Sequence, residues 1–124
     1  MRLDSQNIIV YQGPHFTIEW YCDSRGESQP YGYFVKSLTP RKRKLFFLVR
    51  RIAETGVIRD KTKFRYEGDD IYAFKPQPDR YLCFFMKGKK IIVVHAFNKK
   101  SDKMPLKEKK MAVKRMNDYL ERNK

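Results

Sequence analysis

The densest apolar part of the chain lies between residues 71 and 97, where three short runs are rich in aromatic and β-branched side chains. The runs are Ile71 to Phe74, Tyr81 to Met86 and Ile91 to Phe97. Side chains of these types favour strands. The first break contains Pro76 and Pro78, which cannot donate a backbone hydrogen bond, and the second contains Gly88, which suits a tight turn. The pattern predicts an antiparallel meander of three consecutive strands.

Upstream of the meander, an alternation of apolar and polar residues predicts another strand. Phe16, Ile18 and Trp20 alternate with more polar neighbours, which is typical of a half-buried strand. Residues 8–11 are also largely apolar. We therefore expect residues 1–13 to form either an edge strand or an N-terminal extension of a single domain at residues 14–124.

Two helices are predicted before the meander and one after it. Ser28 is suited to cap a short helix with Pro30 in its first turn. Thr39 is the expected cap of a second helix that ends at Gly56, and Pro105 begins the C-terminal helix. The second helix has an apolar face made of Leu45, Leu48, Val49, Ile52 and Ala53. These elements predict an α+β fold, in which a curved antiparallel sheet of four or five strands packs against two N-terminal helices and a C-terminal helix.

The charge of the chain limits the class of partner. Its 124 residues carry a formal net charge of +14. Self-repulsion of this size favours a polyanion or an acidic protein as partner, and nucleic acid is the leading candidate. A membrane is not expected to be one, because no stretch approaches the roughly 20 apolar residues of a spanning helix. The N-terminus lacks a signal-peptide pattern, so we expect a cytoplasmic protein.

The chemistry of the sequence is cationic. There is no glycine-rich phosphate loop, and Cys22, Cys83, His15 and His95 do not show the spacing of metal ligands, so neither a cofactor nor a metal site is expected. We expect both cysteines to be reduced, packed thiols. Basic residues instead mark the ends of the predicted strands and the segments beside them. They are Lys75 and Arg80 around the first break, Lys99, Lys100 and Lys103 after the third strand, and Arg59, Lys61, Lys63 and Arg65 before the first.

The last of these groups has every second residue basic. On an extended segment such residues point the same way and could follow a phosphate backbone, and the alternative is a solubilising loop.

The order of these residues resembles the HigB-type toxins of the RelE/ParE superfamily, in their phage-derived HigB-like branch. The resemblance covers roughly Phe16 to Leu120. It depends on an aromatic strand that ends in a basic residue, on Asp79-Arg80 at the start of the next, and on a block before the C-terminal helix. That block is His95-x-Phe97-x-Lys99-Lys100-x-x-Lys103-x-Pro105. The resemblance implies a RelE-like fold and the toxin of a type II toxin–antitoxin system, one that cleaves mRNA on the ribosome and forms a hetero-oligomer with a cognate antitoxin.

The same resemblance implies roles for individual residues. RNA carries its own nucleophile, the 2′-hydroxyl, so cleavage needs alignment, proton transfer and positive charge on the transition state, without a metal. Arg80 would stabilise that charge, Lys75 would bind phosphate, and His95 would be either a packed core residue or the acid or base. Contacts to the RNA backbone or to ribosomal RNA would come from Lys61, Lys63, Arg65, Lys99, Lys100 and Lys103. Ala73 and Lys75 replace the glutamate and arginine that are usual in the family, which weakens bidentate phosphate recognition.

Three alternatives stay open at this point. Arg80 could form a structural ion pair with Asp79 or Asp102. The chain could be a ParE-like toxin that inhibits a protein such as DNA gyrase without cutting RNA, because fold alone does not decide function. It could also be a nonspecific nucleic-acid-binding protein. For the toxin, we expect an acidic or DNA-binding antitoxin that lays a helix or an extended segment over the basic surface.

Overall fold

The computed structural model describes residues 1–101 and 103–124. The chain forms six strands and three helices over these ranges. In chain order they are β1 (Ile9–Gln12), β2 (Thr17–Trp20), α1 (Gln29–Lys36), α2 (Thr39–Thr55), β3 (Phe64–Gly68), β4 (Ile71–Phe74), β5 (Asp79–Met86), β6 (Lys90–Asn98) and α3 (Leu106–Arg122). The α+β class and the three helices are confirmed.

The strands form a single sheet in the order β1-β2-β6-β5-β4-β3. Strands β4, β5 and β6 pair antiparallel, so the predicted meander is confirmed. The prediction of a purely antiparallel sheet with four or five strands is wrong. The sheet has six strands, and β2 runs parallel to β6, with Thr17 opposite Lys90. Parallel pairing joins residues that are distant in the sequence, so no local pattern reveals it.

The two strands at the sheet edges account for the difference in number. β1 lies at one edge, and β3, from Phe64 to Gly68, lies at the other. The prediction of one extended segment with all basic side chains on one side is wrong for residues 61–63, which form a turn. Asp60 causes this turn, because its Oδ1 accepts hydrogen bonds from the amide and the hydroxyl of Thr62 at 2.9 and 2.7 Å.

The helix starts follow the sequence signals in one case and not in the other. Ser28 caps α1, with its hydroxyl accepting a hydrogen bond from the amide of Tyr31 at 3.3 Å. Thr39 is not the cap of α2, because it is already the first helical residue and Leu38 precedes it without a side-chain cap. Gly56 ends α2 with φ 84°, the left-handed conformation that glycine tolerates.

Helices cover both faces of the sheet, and each face has its own core. α1 and α2 pack on one face, where Ile18, Leu45 and Val93 are fully buried. α3 packs on the other face through Ala112 and Met116. Because successive strand residues point to opposite faces, neighbours in β5 belong to different cores. No helix in the described ranges is long and apolar enough to cross a membrane.

Candidate functional site

Asp79, the first residue of β5, is a fully buried carboxylate with a complete set of partners. The Tyr33 hydroxyl of α1 donates to its Oδ1 at 2.6 Å. Arg41 of α2 donates from Nε to Oδ2 at 2.9 Å and from Nη2 to Oδ1. Burial and the bond to Asp79 raise the pKa of Tyr33 to about 12. This network ties both helices to the start of β5 from the α1/α2 face.

Arg80, the next residue, is 5% exposed and points to the α3 face. Its Nη1 donates to the backbone oxygen of Asp79 at 2.9 Å and to the side-chain oxygen of Gln77 at 3.3 Å. Its Nε is buried and has no hydrogen-bond partner among the described residues. Burial lowers the pKa of Arg80, and the carboxylates of Glu67 and Asp79 act in the opposite direction. Arg80 is therefore a buried cation with an unsatisfied donor, which is rare in native proteins.

The geometry does not support an ion pair between Arg80 and the Asp79 carboxylate, which was the alternative role for Arg80. Tyr33 and Arg41 occupy that carboxylate on the opposite face, and Arg80 reaches only the Asp79 backbone. The other suggested partner, Asp102, lies outside the described residues.

Lys75 lies beside Arg80 at the end of β4. Its amide donates to the backbone oxygen of Lys63 at 2.8 Å, and its Nζ donates to the backbone oxygen of Lys61 at 3.1 Å. Burial lowers the pKa of Lys75, and the positive charge of Arg80 adds to the effect. Lys99 and Arg65 lower it further, against the opposing effect of Glu67.

The pairing of the strands explains why these four residues come together. Arg65 pairs with Ala73, two positions before Lys75, and Arg80 pairs with Phe97, two positions before Lys99. The amide of Lys99 also donates to the backbone oxygen of Pro78 at 3.0 Å. We call the group of Arg65, Lys75, Arg80 and Lys99 the cationic site.

The remaining predicted RNA-binding lysines lie outside the cationic site. Lys61 and Lys63 are exposed in the turn before β3, where their backbone oxygens receive the hydrogen bonds from Lys75. Lys100 and Lys103 are exposed in the connection from β6 to α3. No contact of the described residues brings either of these last two to Arg80.

His95 is buried between β6 and α3, two positions along β6 from the residue that pairs with Arg80. Its Nε2 lies 2.6 Å from a carboxylate oxygen of Glu108, and its Nδ1 lies 2.6 Å from Nη1 of Arg115. Because arginine can only donate, Nδ1 is the acceptor and Nε2–H donates to Glu108. Burial lowers the pKa of His95, although Glu108 opposes the shift, and this direction favours the neutral ring. Both ring nitrogens are used in attaching α3 to the sheet.

Residues 34–117 match a family described as "Phage derived protein Gp49-like (DUF891)". The chain belongs to this family. The match covers well over half of the chain, and Gp49-like proteins are associated with toxin–antitoxin systems. A search of curated proteins finds no match.

The Gp49-like region begins inside α1 and ends inside α3. It therefore contains the whole cationic site and leaves β1 and β2 outside. Arg41 is also inside it, although no pattern in the sequence distinguishes this residue from the other basic residues of α2. An aspartate at the start of an apolar strand, such as Asp79, needs a cationic partner if it is buried. That partner, Arg41, is 38 residues away in the chain, and no local signal identifies it.

Proposed function

We propose that this Gp49-like protein is the toxin of a type II toxin–antitoxin system and that it acts as a metal-independent endoribonuclease on mRNA in translating ribosomes. The observation that carries this proposal is Arg80, a buried guanidinium with an unsatisfied Nε that lies next to Lys75. An unsatisfied buried donor is costly, and such a cost is tolerated where a ligand is to be bound.

The proposed reaction uses groups that RNA itself supplies. The 2′-oxygen attacks the adjacent phosphorus while its proton passes to a base. The bond from phosphorus to the 5′-oxygen breaks, and that oxygen takes up a proton. The products are a 2′,3′-cyclic phosphate and a free 5′-hydroxyl. Negative charge grows on the phosphoryl oxygens between these two events, so donors fixed beforehand give the largest acceleration.

Arg80 suits the role of fixed donor. Its bond to the Asp79 backbone and its burial hold the side chain in place before substrate arrives. Gln77 is exposed, and its 3.3 Å bond to Nη1 is long for a hydrogen bond, so a phosphate oxygen can replace it. A phosphate bound there gives Arg80 the charged partner that it lacks in the free protein.

Lys75 suits two related roles, phosphate binding and proton transfer to the leaving oxygen. Its lowered pKa brings the ammonium closer to the range in which it can give up a proton at neutral pH. We assign Arg65 and Lys99 to the RNA backbone near the cleavage point, and Lys61, Lys63, Lys100 and Lys103 to more distant RNA or ribosome contacts. We assign His95 to positioning through α3, since both of its nitrogens are engaged.

The test is cleavage of mRNA by purified protein added to translating ribosomes, with RNA or ribosome binding measured for the same variants. Arg80→Ala should lower the cleavage rate roughly 10²–10³-fold, the scale of removing one fixed donor. Binding should be largely retained, because it depends on many replaceable phosphate contacts. Lys61→Ala should act mainly on binding, and Lys107→Ala, which removes an exposed cation on α3, should change neither. Unchanged cleavage by Arg80→Ala would refute the assignment of the site.

A second candidate function is inhibition of a protein target such as DNA gyrase. Its support is Ala73, which is fully buried at the position of the usual family glutamate and so provides no acid or base there. Wild-type protein that leaves mRNA intact and inhibits gyrase would favour this function over RNA cleavage.

A further inference from the structure

The outer side of α2 exposes apolar side chains that the fold does not use. Phe46 and Phe47 are 41% and 64% exposed, whereas the inner side of α2 is buried against the sheet. Phe46 packs edge-on against Tyr11 at 5.6 Å between ring centroids. Phe47 makes no ring contact with any described residue. An aromatic side chain held out of the core on a rigid helix is typical of a binding surface.

Phe47 stands between two adjoining hollows. One, beside Val57, has a volume of about 780 Å³ and lies between α2, residues 57–60 and the loop at Pro76 and Gln77. The other has a volume of about 400 Å³ and also contacts Phe34 and Phe46. Val57 is 41% exposed. We call the two hollows together the α2 groove, and its apolar wall is continuous through Phe47.

The rim of the α2 groove is strongly basic. The cations that line it are Lys42, Arg43, Lys44, Arg50, Arg51, Arg59 and Lys63. Within the described chain, Arg43 and Arg59 form no ion pair. Asp60 also lines the groove, but its carboxylate is already bonded to Thr62. The charge of the rim therefore calls for an acidic occupant.

The apolar wall distinguishes a protein occupant from RNA. A phosphate backbone could neutralise the rim but would leave the exposed Phe47 and Val57 without apolar contacts. A peptide that carries both carboxylates and apolar side chains satisfies both parts of the groove, since interfaces combine an apolar centre with a polar rim.

The groove also borders the loop that contacts the cationic site. Gln77 lines the groove, accepts a hydrogen bond at its backbone oxygen from Lys44 at 3.2 Å, and bonds Arg80 through its side chain. We propose that the α2 groove binds an acidic segment with apolar anchor residues, supplied by the protein partner that neutralises this toxin. This inference rests on the proposed toxin function, and it places the neutralising segment against the loop that precedes Arg80.

The experiment selects peptides of about 16 residues from a random display library on the wild-type protein and measures their affinities by fluorescence anisotropy. The selected peptides should be rich in Asp and Glu and should carry apolar residues. Phe47→Ser should weaken their binding roughly thirtyfold, the scale of losing one central aromatic anchor. Arg43→Glu should weaken it as well. Leu106→Ser, which changes a 74% exposed leucine on α3, is the matched control and should bind as the wild type does.

Two results would overturn the docking site. One is selected peptides whose affinity is the same for Phe47→Ser and Leu106→Ser. The other is a single-stranded RNA of about 16 nucleotides whose own affinity falls with Phe47→Ser as the peptide affinity does, which would make the groove an RNA site. Failure of the nuclease proposal looks different, because it would leave groove-dependent peptide binding intact in a protein that does not cleave RNA. Cleavage without groove-dependent peptide binding would remove the docking site alone.

Discussion

Asp79 and Arg80 are adjacent, oppositely charged and both nearly inaccessible to solvent, yet the fold treats them differently. Asp79 receives hydrogen bonds from Tyr33 and Arg41, which bring two helices to one carboxylate. Arg80 has only its backbone neighbour and a long bond to Gln77, and its Nε has no partner in the described chain. One charge is neutralised by the protein, and the other is not.

This difference separates a charge that holds the fold together from a charge whose hydrogen-bond donors are not all used by the described residues. A buried ion with a full set of partners fixes the relative positions of the elements that it joins, and removal of a partner leaves an uncompensated charge. A buried ion whose partners are incomplete reduces stability in the free protein, and it gains most when an anion arrives. The two residues on opposite faces of one strand thus allow the scaffold to be tested apart from the site.

The largest expected effect is the loss of stability when the Asp79 network is broken. Arg41→Ala should lower the free energy of unfolding by about 3–5 kcal/mol, because it leaves the Asp79 carboxylate buried with only the Tyr33 hydroxyl. The measurement is urea unfolding followed by circular dichroism. Arg43→Ala, an exposed arginine on the same helix, is the control and should change stability by less than about 0.5 kcal/mol. Equal effects of the two substitutions would mean that the Asp79 network does not stabilise the fold.

An intermediate effect concerns the cationic site and is measured as the pH dependence of cleavage. In the proposed reaction Lys75 acts as an ammonium, and its lowered pKa means that the charge is lost at a lower pH than in an ordinary lysine. The cleavage rate should therefore fall on the alkaline side, by about tenfold per pH unit beyond the pKa of Lys75. Lys75→Arg should move this decline to higher pH, because arginine keeps its charge. Cleavage measured from pH 7 upward, with RNA alone as the control for alkaline hydrolysis, checks this. An alkaline decline that is identical in the variant would exclude Lys75 as its source.

The smallest expected effect is the stability change when Arg80 is removed. Arg80→Met retains most of the side-chain volume and deletes an unsatisfied donor and a desolvated charge, so stability should stay the same or rise by up to about 1 kcal/mol. Urea unfolding of this variant beside Arg41→Ala is the direct comparison. A loss above about 2 kcal/mol would show that Arg80 supports the fold as Asp79 does.

Local patterns predicted the parts of the fold that depend on neighbouring residues. The meander, the cap at Ser28 and the end of α2 at Gly56 all follow from runs, turns and single residues that can be recognised in the sequence. The parallel pairing of β2 with β6 and the turn at residues 61–63 did not follow. The first joins segments distant in the chain, and the second depends on one aspartate side chain that competes with an extended backbone.

The site shows the same division. Lys75 follows the end of β4 and Arg80 lies at the start of β5, so their proximity could be predicted, because hairpin pairing brings these two positions together. Arg41 could not be assigned from the sequence, since a basic residue on an amphipathic helix resembles a solvated one until its partner is known. From the sequence, His95 could be either a packed core residue or a catalytic acid or base. Its partners, Glu108 and Arg115, lie on α3, so the sequence of the strand itself does not reveal them.

The parallel contact between β2 and β6 also sets an order of events during synthesis. Trp20 pairs with Val93, so β2 has no neighbour on that side until almost the whole sheet has been translated. The strands of the meander, in contrast, are adjacent in sequence and close only short loops. Until β6 has emerged, the nascent chain holds an apolar strand with an unpaired edge, and neither face of the sheet is complete. The cationic site and the strand that closes the sheet therefore become available together, late in translation.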